Sequence, residues 1–167
     1  MELRSQTIVG NAPGPHLLLI GGVHGDEWEP MVACRRLLKM LDPATLRGRV
    51  TIVPVVNEAA FLRGTRTADD LLDLARVCPG NDSGSITEQA AAALSRLIRE
   101  ADFLIDGPSV ALPALLQGTI RVLAVTGPQR MRILPGAPTL TEAGLPDLDY
   151  TGILGVYAPA GTPAPVV

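Results

Sequence analysis

His24-Gly25-Asp26-Glu27 is the part of this 167-residue chain best suited to chemistry. It follows the apolar run Leu17-Leu18-Leu19-Ile20 and the pair Gly21-Gly22. An imidazole and a carboxylate three residues apart, at a strand-to-helix turn, can both reach one divalent ion. Zinc takes imidazole nitrogen and carboxylate oxygen at about 2.0–2.2 Å. Ligands of open parallel sheets bind at the carboxyl ends of the strands. The same residues also suit a solvated turn in which Asp or Glu caps the next helix. The other histidine, His16, opens the strand whose far end carries His24. An extended run at about 3.3 Å per residue sets the two roughly 25 Å apart, so His16 cannot close the same site. It reads as a polar residue at a strand end. Cys34 and Cys78 have no base marked beside them and read as small buried apolar residues.

The elements that must position this turn read as α/β. Leu17–Ile20 is a short buried strand of parallel type. From Glu29 to Leu41, Val32, Leu37, Leu38 and Leu41 fit one helical face, with Arg35, Arg36 and Lys39 mostly away from it. Val50–Val56 is β-branched and predicts a second strand, at an edge or bulged because Pro54 removes a ladder donor. Ser85-Ile86-Thr87-Glu88 is a capping box opening a helix whose Leu94, Leu97 and Ile98 share a face. Phe103-Leu104-Ile105 starts a third strand. This order predicts a parallel sheet with right-handed crossovers. Further on, Ile120–Val125 predicts a strand, and Leu140–Ala143 a short helix stopped by Gly144. Gly161–Pro165 suits a helix entry.

Composition bounds the function and shows a seam. No apolar stretch reaches the roughly 18 residues of a membrane helix, although mean hydropathy is +0.27. Net charge is −3, which opposes a nucleic-acid partner. Aromatic residues are 3% of the chain, too few for base-stacking platforms. Two cysteines make no disulfide scaffold, and Met1–Gln6 shows no secretory pattern. The expectation is a cytoplasmic protein of unknown oligomeric state. Residues 1–106 hold 14 acidic and 11 basic residues; the remaining 61 hold three of each, but nine of the 15 prolines. Such a shift marks a domain boundary or a loop-rich tail, and divides the chain into 1–106 and 107–167.

More than one motif of the first segment points the same way. Gly21–Glu27 resembles the zinc motif of the succinylglutamate desuccinylase/aspartoacylase family, relatives of the zinc carboxypeptidases. Asn57-Glu58-Ala59-Ala60-Phe61 with Arg66, Asp73–Gly80, and Gly84-Ser85-Ile86-Thr87-Glu88 resemble its next motifs in order. The resemblance implies a partial three-layer αβα, zinc-carboxypeptidase-like sheet. It implies zinc on His24 and Glu27, and Arg66 polarising the scissile carbonyl or holding the oxyanion. Arg76 would pair with a substrate carboxylate, and Asn57 would order the same shell. The implied reaction is hydrolysis of a small N-acyl amino acid at its amide bond. For both arginines the plain alternative is a solvated surface position. Ala75 replaces the family's Asn and Cys78 its Phe.

Two parts of that machinery are missing from the sequence. The family's third ligand is a His after the strand that here continues Asp106-Gly107-Pro108, and Pro108 stands in its place. Asp106 is a weak substitute. No motif matches the family's general-base Glu. The implied deacylase is therefore impaired or inactive as written.

Gly118–Gly127, Arg130, Leu134–Thr139, Glu142–Pro146 and Ala158–Pro163 resemble a second family. It is the substrate-binding proteins of tripartite tricarboxylate transporters. This implies a Pro/Gly-rich α/β fragment of periplasmic-binding-protein type over 107–167, whose relatives bind small carboxylates. The chain then reads as a hybrid of two incomplete sites, joined near Asp106 by gene fusion, rearrangement or an error of assembly. Its alternatives to deacylase activity are a non-catalytic remnant or a carboxylate-binding fragment.

Overall fold

The computed structural model describes residues 1–103, 116 and 121–146. The chain divides into two compact units, Met1–Ile105 and Asp106–Val167.

Three strands build the first unit. β1 (Gln6–Val9), β2 (Ala12–Ile20) and β3 (Arg47–Val53) lie in the order β1-β3-β2. β2 and β3 run parallel, with Leu17 opposite Val50 and Ile20 opposite Val53. β1 runs antiparallel to β3, with Thr7 opposite Thr51 and their hydroxyls 2.9 Å apart. The sheet is thus mixed rather than wholly parallel. The short, half-polar β1 supplies the partner that the second edge of β3 needs. Pro54 does not make β3 an edge or bulged strand. β3 ends at Val53 and lies in the middle, so the missing N–H falls outside the ladder.

Alternation along the strands feeds two cores. Leu17, Leu19, Val50 and Ile52 pack with Cys34, Leu37, Leu38 and Leu41 of α1 (Trp28–Met40) and the residue that follows it. Leu18, Ile20 and Val53 pack with Leu74 of α3 (Leu74–Val77) and Ala90, Ala91, Leu94, Leu97 and Ile98 of α4 (Ile86–Glu100). Helices therefore cover both faces, as the three-layer reading expected. On α1 the inward stripe is set by Met31 and Cys34, while Val32 is 47% exposed, so its assignment to the buried face is corrected. α4 begins with the complete capping box: Ser85 accepts from the Glu88 N–H, and Glu88 accepts from the Ser85 N–H at 2.8 Å. The helix α2 (Glu58–Arg63) and α3 are each shorter than two turns, too short for periodicity to reveal; Asn57 and Asp73 cap them. Phe103 forms an isolated parallel bridge with Leu17 of β2. Leu104 and Ile105 lie outside the described residues.

Among residues 121–146, Val125 bridges Thr139 in parallel, while Arg121–Ala124 carry no strand pairing. The predicted strand reduces to that bridge, because Pro135, Gly136 and Pro138 interrupt its partner. Leu140–Ala143 is a turn, not a helix, closed by Gly144 at φ +89°. Arg130 pairs with Glu142 at 2.8 Å and holds its carboxyl below the usual range. The helix entry at 161–165 lies outside the described residues, as do Asp106 and Pro108. No helix among the described residues is long and apolar enough to cross a membrane.

Candidate functional site

The His24 turn is seated by its own glycine. A Cβ on Gly25 would stand 2.1 Å from the Ala60 carbonyl carbon, so only glycine lets the turn rest on the backbone of α2. The Val56 and Asn57 N–H groups donate to the Gly21 and Gly22 carbonyls, fastening the end of β3 to the same loop. Asn57 then caps α2, its Oδ1 accepting from the Ala60 N–H at 3.1 Å. Its Nδ2 is buried without a hydrogen-bond partner.

Four side chains converge on this turn. His24, 8% exposed, has Nδ1 2.8 Å from Glu27 Oε1 and Nε2 2.9 Å from Asp73 Oδ1. The Arg66 guanidinium lies 3.1 Å from Asp73 Oδ2 and 3.6 Å from Glu27 Oε1. Glu27 stands at the N-cap of α1, yet its side chain makes no capping hydrogen bond. Glu27 therefore does not cap α1 through its side chain. A neutral imidazole has one N–H and one lone pair. Both ring nitrogens lie at hydrogen-bond distance from a carboxylate, which only accepts, so a neutral ring donates to Glu27 or to Asp73 but not to both. A carboxylate behind the ring is the usual way a ligating histidine is oriented.

Asp73 is the residue sequence reading left without a role. It caps α3 through the Ala75 N–H, receives the His24 ring and pairs with Arg66. The His24 hydrogen bond first, then those from Arg66 and Ala75, hold its carboxyl at about 2 against the opposing effect of burial. The signal was present in the run Asp73–Gly80, whose first residue is an acid at a helix start. The loop between α2 and α3 is also tied to α4. Asp70 accepts from the Thr87 N–H at 3.0 Å and the Thr87 hydroxyl at 2.8 Å.

The remaining predicted residues fall in different places. Arg66 lies beside Glu27 and Asp73 while its side chain stays 53% exposed, a solvated position at the edge of the cluster. Arg76 lies exposed on α3, and no ion pair involves it among the described residues. Asn57 bonds within α2 rather than to the four-residue cluster. Cys34 is buried as expected, but Cys78 is exposed. It ends the short α3, where the side chain turns to solvent instead of into the core. His16 sits far from this site, inside β2, bonded to Thr51 Oγ1 and the Glu100 carbonyl at 2.8 Å each. It borders a cavity of about 500 Å³ at the opposite end of the strand from His24.

The family model for the succinylglutamate desuccinylase/aspartoacylase catalytic domain matches residues 13–106, more than half of the chain. The chain belongs to this family. A curated relative, N-alpha-acetyl-L-2,4-diaminobutyric acid deacetylase of Halomonas elongata, is 40% identical over 102 residues. Those residues are 60% of this chain and 30% of the relative. A crystal structure from Rhodobacter sphaeroides, named succinylglutamate desuccinylase/aspartoacylase, aligns with TM-score 0.57 and 36% identity, covering 61% of this chain and 31% of that one. The product-bound ectoine utilization protein EutE (DoeB) of Ruegeria pomeroyi aligns at TM-score 0.54 and 37% identity, covering 59% and 30%. The chain thus spans about a third of the length of these relatives. A second family model, the tripartite tricarboxylate transporter family receptor, matches residues 87–167. A relative of that part is the UPF0065 protein in the tcbD-tcbE intergenic region of Pseudomonas sp., 38% identical over 80 residues, 47% of this chain and 24% of the relative. The second match starts inside α4, so the two families overlap over 87–106.

Zinc is the ion this family implies. His24 Nδ1 and Glu27 Oε1 are 2.8 Å apart, in direct hydrogen-bond contact and closer than the roughly 3.3 Å that tetrahedral zinc sets between two ligand atoms. The described residues supply no group of three or more His, Cys, Asp or Glu side chains able to hold a metal. They provide two donors and an orienting acid, and do not complete a zinc site.

Proposed function

We propose that residues 1–106 descend from a zinc-dependent amidohydrolase of small N-acyl amino acids, and that this chain keeps a remnant of its site with hydrolysis impaired or absent. The observation that carries this reading is the His24–Glu27–Asp73–Arg66 cluster at the end of β2, with two metal donors and no third among the described residues. In the complete chemistry a metal activates water and an arginine stabilises the tetrahedral oxyanion. Here His24 and Glu27 are the residues that would hold the ion. Arg66 supplies a cation beside them, and Arg76 offers an exposed planar fork for a carboxylate. Pro108, where the family places its third ligand, brings no donor.

The carboxylate-binding alternative for 107–167 has less support. Arg130, a cation of that segment, is already paired with Glu142.

The test is amine release from an N-acetylated diamino acid by the whole chain with added zinc, beside His24→Ala. We expect no release above the mutant's background. Turnover at the rate of an intact deacylase, lost in His24→Ala, would overturn the proposed loss of activity and establish a working deacylase.

A further inference from the structure

The cluster at the His24 turn contains its own cation. Glu27 and Asp73 face each other across the His24 ring, one on each nitrogen. Arg66 spans the outer side of both, 3.6 Å from Glu27 Oε1 and 3.1 Å from Asp73 Oδ2. The Glu27 oxygen that Arg66 approaches is the same Oε1 that faces His24 Nδ1. A divalent ion using the Nδ1–Oε1 pair would therefore meet a guanidinium on its own ligand atom. A site with three or four protein ligands can outweigh such a like charge. With the two donors found among the described residues, the contest is much closer.

We propose that Arg66 is the resident counter-cation of this cluster. It holds the Glu27 and Asp73 carboxylates in place without metal, and it opposes any divalent ion that competes for Glu27. This starts from the His24/Glu27 pair of the function proposed above. It is read by stability and affinity rather than turnover, so either idea can fail alone.

Arg66 also joins separate elements. Glu27 opens α1 and Asp73 opens α3, and Arg66 lies in the loop before α3. The loop is anchored to α4 by Asp70. A planar fork can serve two carboxylates at once, whereas a lysine is a point charge with one head group. The two substitutions therefore separate bridging from charge.

The experiment uses the whole chain after chelator treatment. It measures thermal melting and zinc binding by calorimetry for the native protein, Arg66→Gln, Arg66→Lys and Glu27→Gln. Chelation should leave the native melting temperature unchanged. Arg66→Gln should melt about 2–4 °C lower, the scale of losing a half-exposed ion pair, yet bind zinc about tenfold more tightly, because one like charge is gone. Arg66→Lys should lose the same stability while keeping the native zinc affinity. Glu27→Gln should abolish what zinc binding there is. Unchanged or weaker zinc binding in Arg66→Gln would overturn the proposal, as would a native protein that melts earlier once chelated. If Arg66→Gln does not fold, Arg66→Lys decides. Lower melting with native zinc affinity supports a bridging cation; native melting refutes it.

Discussion

Asp70 shows how a single carboxylate sets acid sensitivity. Burial alone would raise its pKa. Hydrogen bonds from Ser85, Thr87 and the Leu72 N–H outweigh that and bring it to about 2, from 3.8. A carboxyl depressed on folding adds stability that is complete above its unfolded pKa and disappears as pH falls through the folded one. The window is thus pH 4 down to 2. Discounted for solvent screening, the contribution is about 1–2 kcal/mol. Asp70→Asn should lower stability by that amount at pH 7 and flatten the loss between pH 4 and 2. Urea midpoints of both proteins across that range check it; parallel curves would remove Asp70 as the cause. At this scale the sequence was legible where a residue's type limits its role. His24, Glu27 and Arg66 are brought together. Asp73 was missed because its partners lie 49 and seven residues away, and an acid at a helix start looks like a cap.

Elements were legible in proportion to their length. The 13-residue α1 and 15-residue α4 could be read from apolar spacing and the capping box. The six-residue α2 and four-residue α3 could not, since fewer than two turns show no period. β1 was missed because four residues of mixed polarity carry no alternation of their own, and its partner is set by the open edge of β3. The capping box gives a direct test. Ser85→Ala removes one of two reciprocal caps and should cost about 1 kcal/mol, seen as a lower melting temperature. Gly25→Ala should cost more, because the added methyl meets backbone rather than a side chain that can turn aside. Equal melting temperatures for Gly25→Ala and the native chain would show that the turn does not rest on α2 as described.

At the scale of the whole molecule, the composition seam near residue 106 falls close to where one unit gives way to the next. Single-molecule sequencing across codons 95–120 is expected to read through Asp106-Gly107-Pro108 as here. An uninterrupted deacylase frame with His at 108 would show the hybrid to be an error of assembly. The second family's match reaches back to residue 87, which composition did not reveal. That position lies in α4, whose buried stretch contains Ala90, Ala91, Ala92 and Ala93, side chains of one methyl each. A helix that meets its neighbours through methyl groups presents a smooth surface, with few knobs that a partner must match. The turns before this stretch are fixed by Ser85, Glu88 and Asp70, and the turns after it need only keep helical phase for Leu94, Leu97 and Ile98. Larger side chains at Ala90 or Ala91 would have to displace the core they touch, so this stretch sets how closely α4 lies against the sheet.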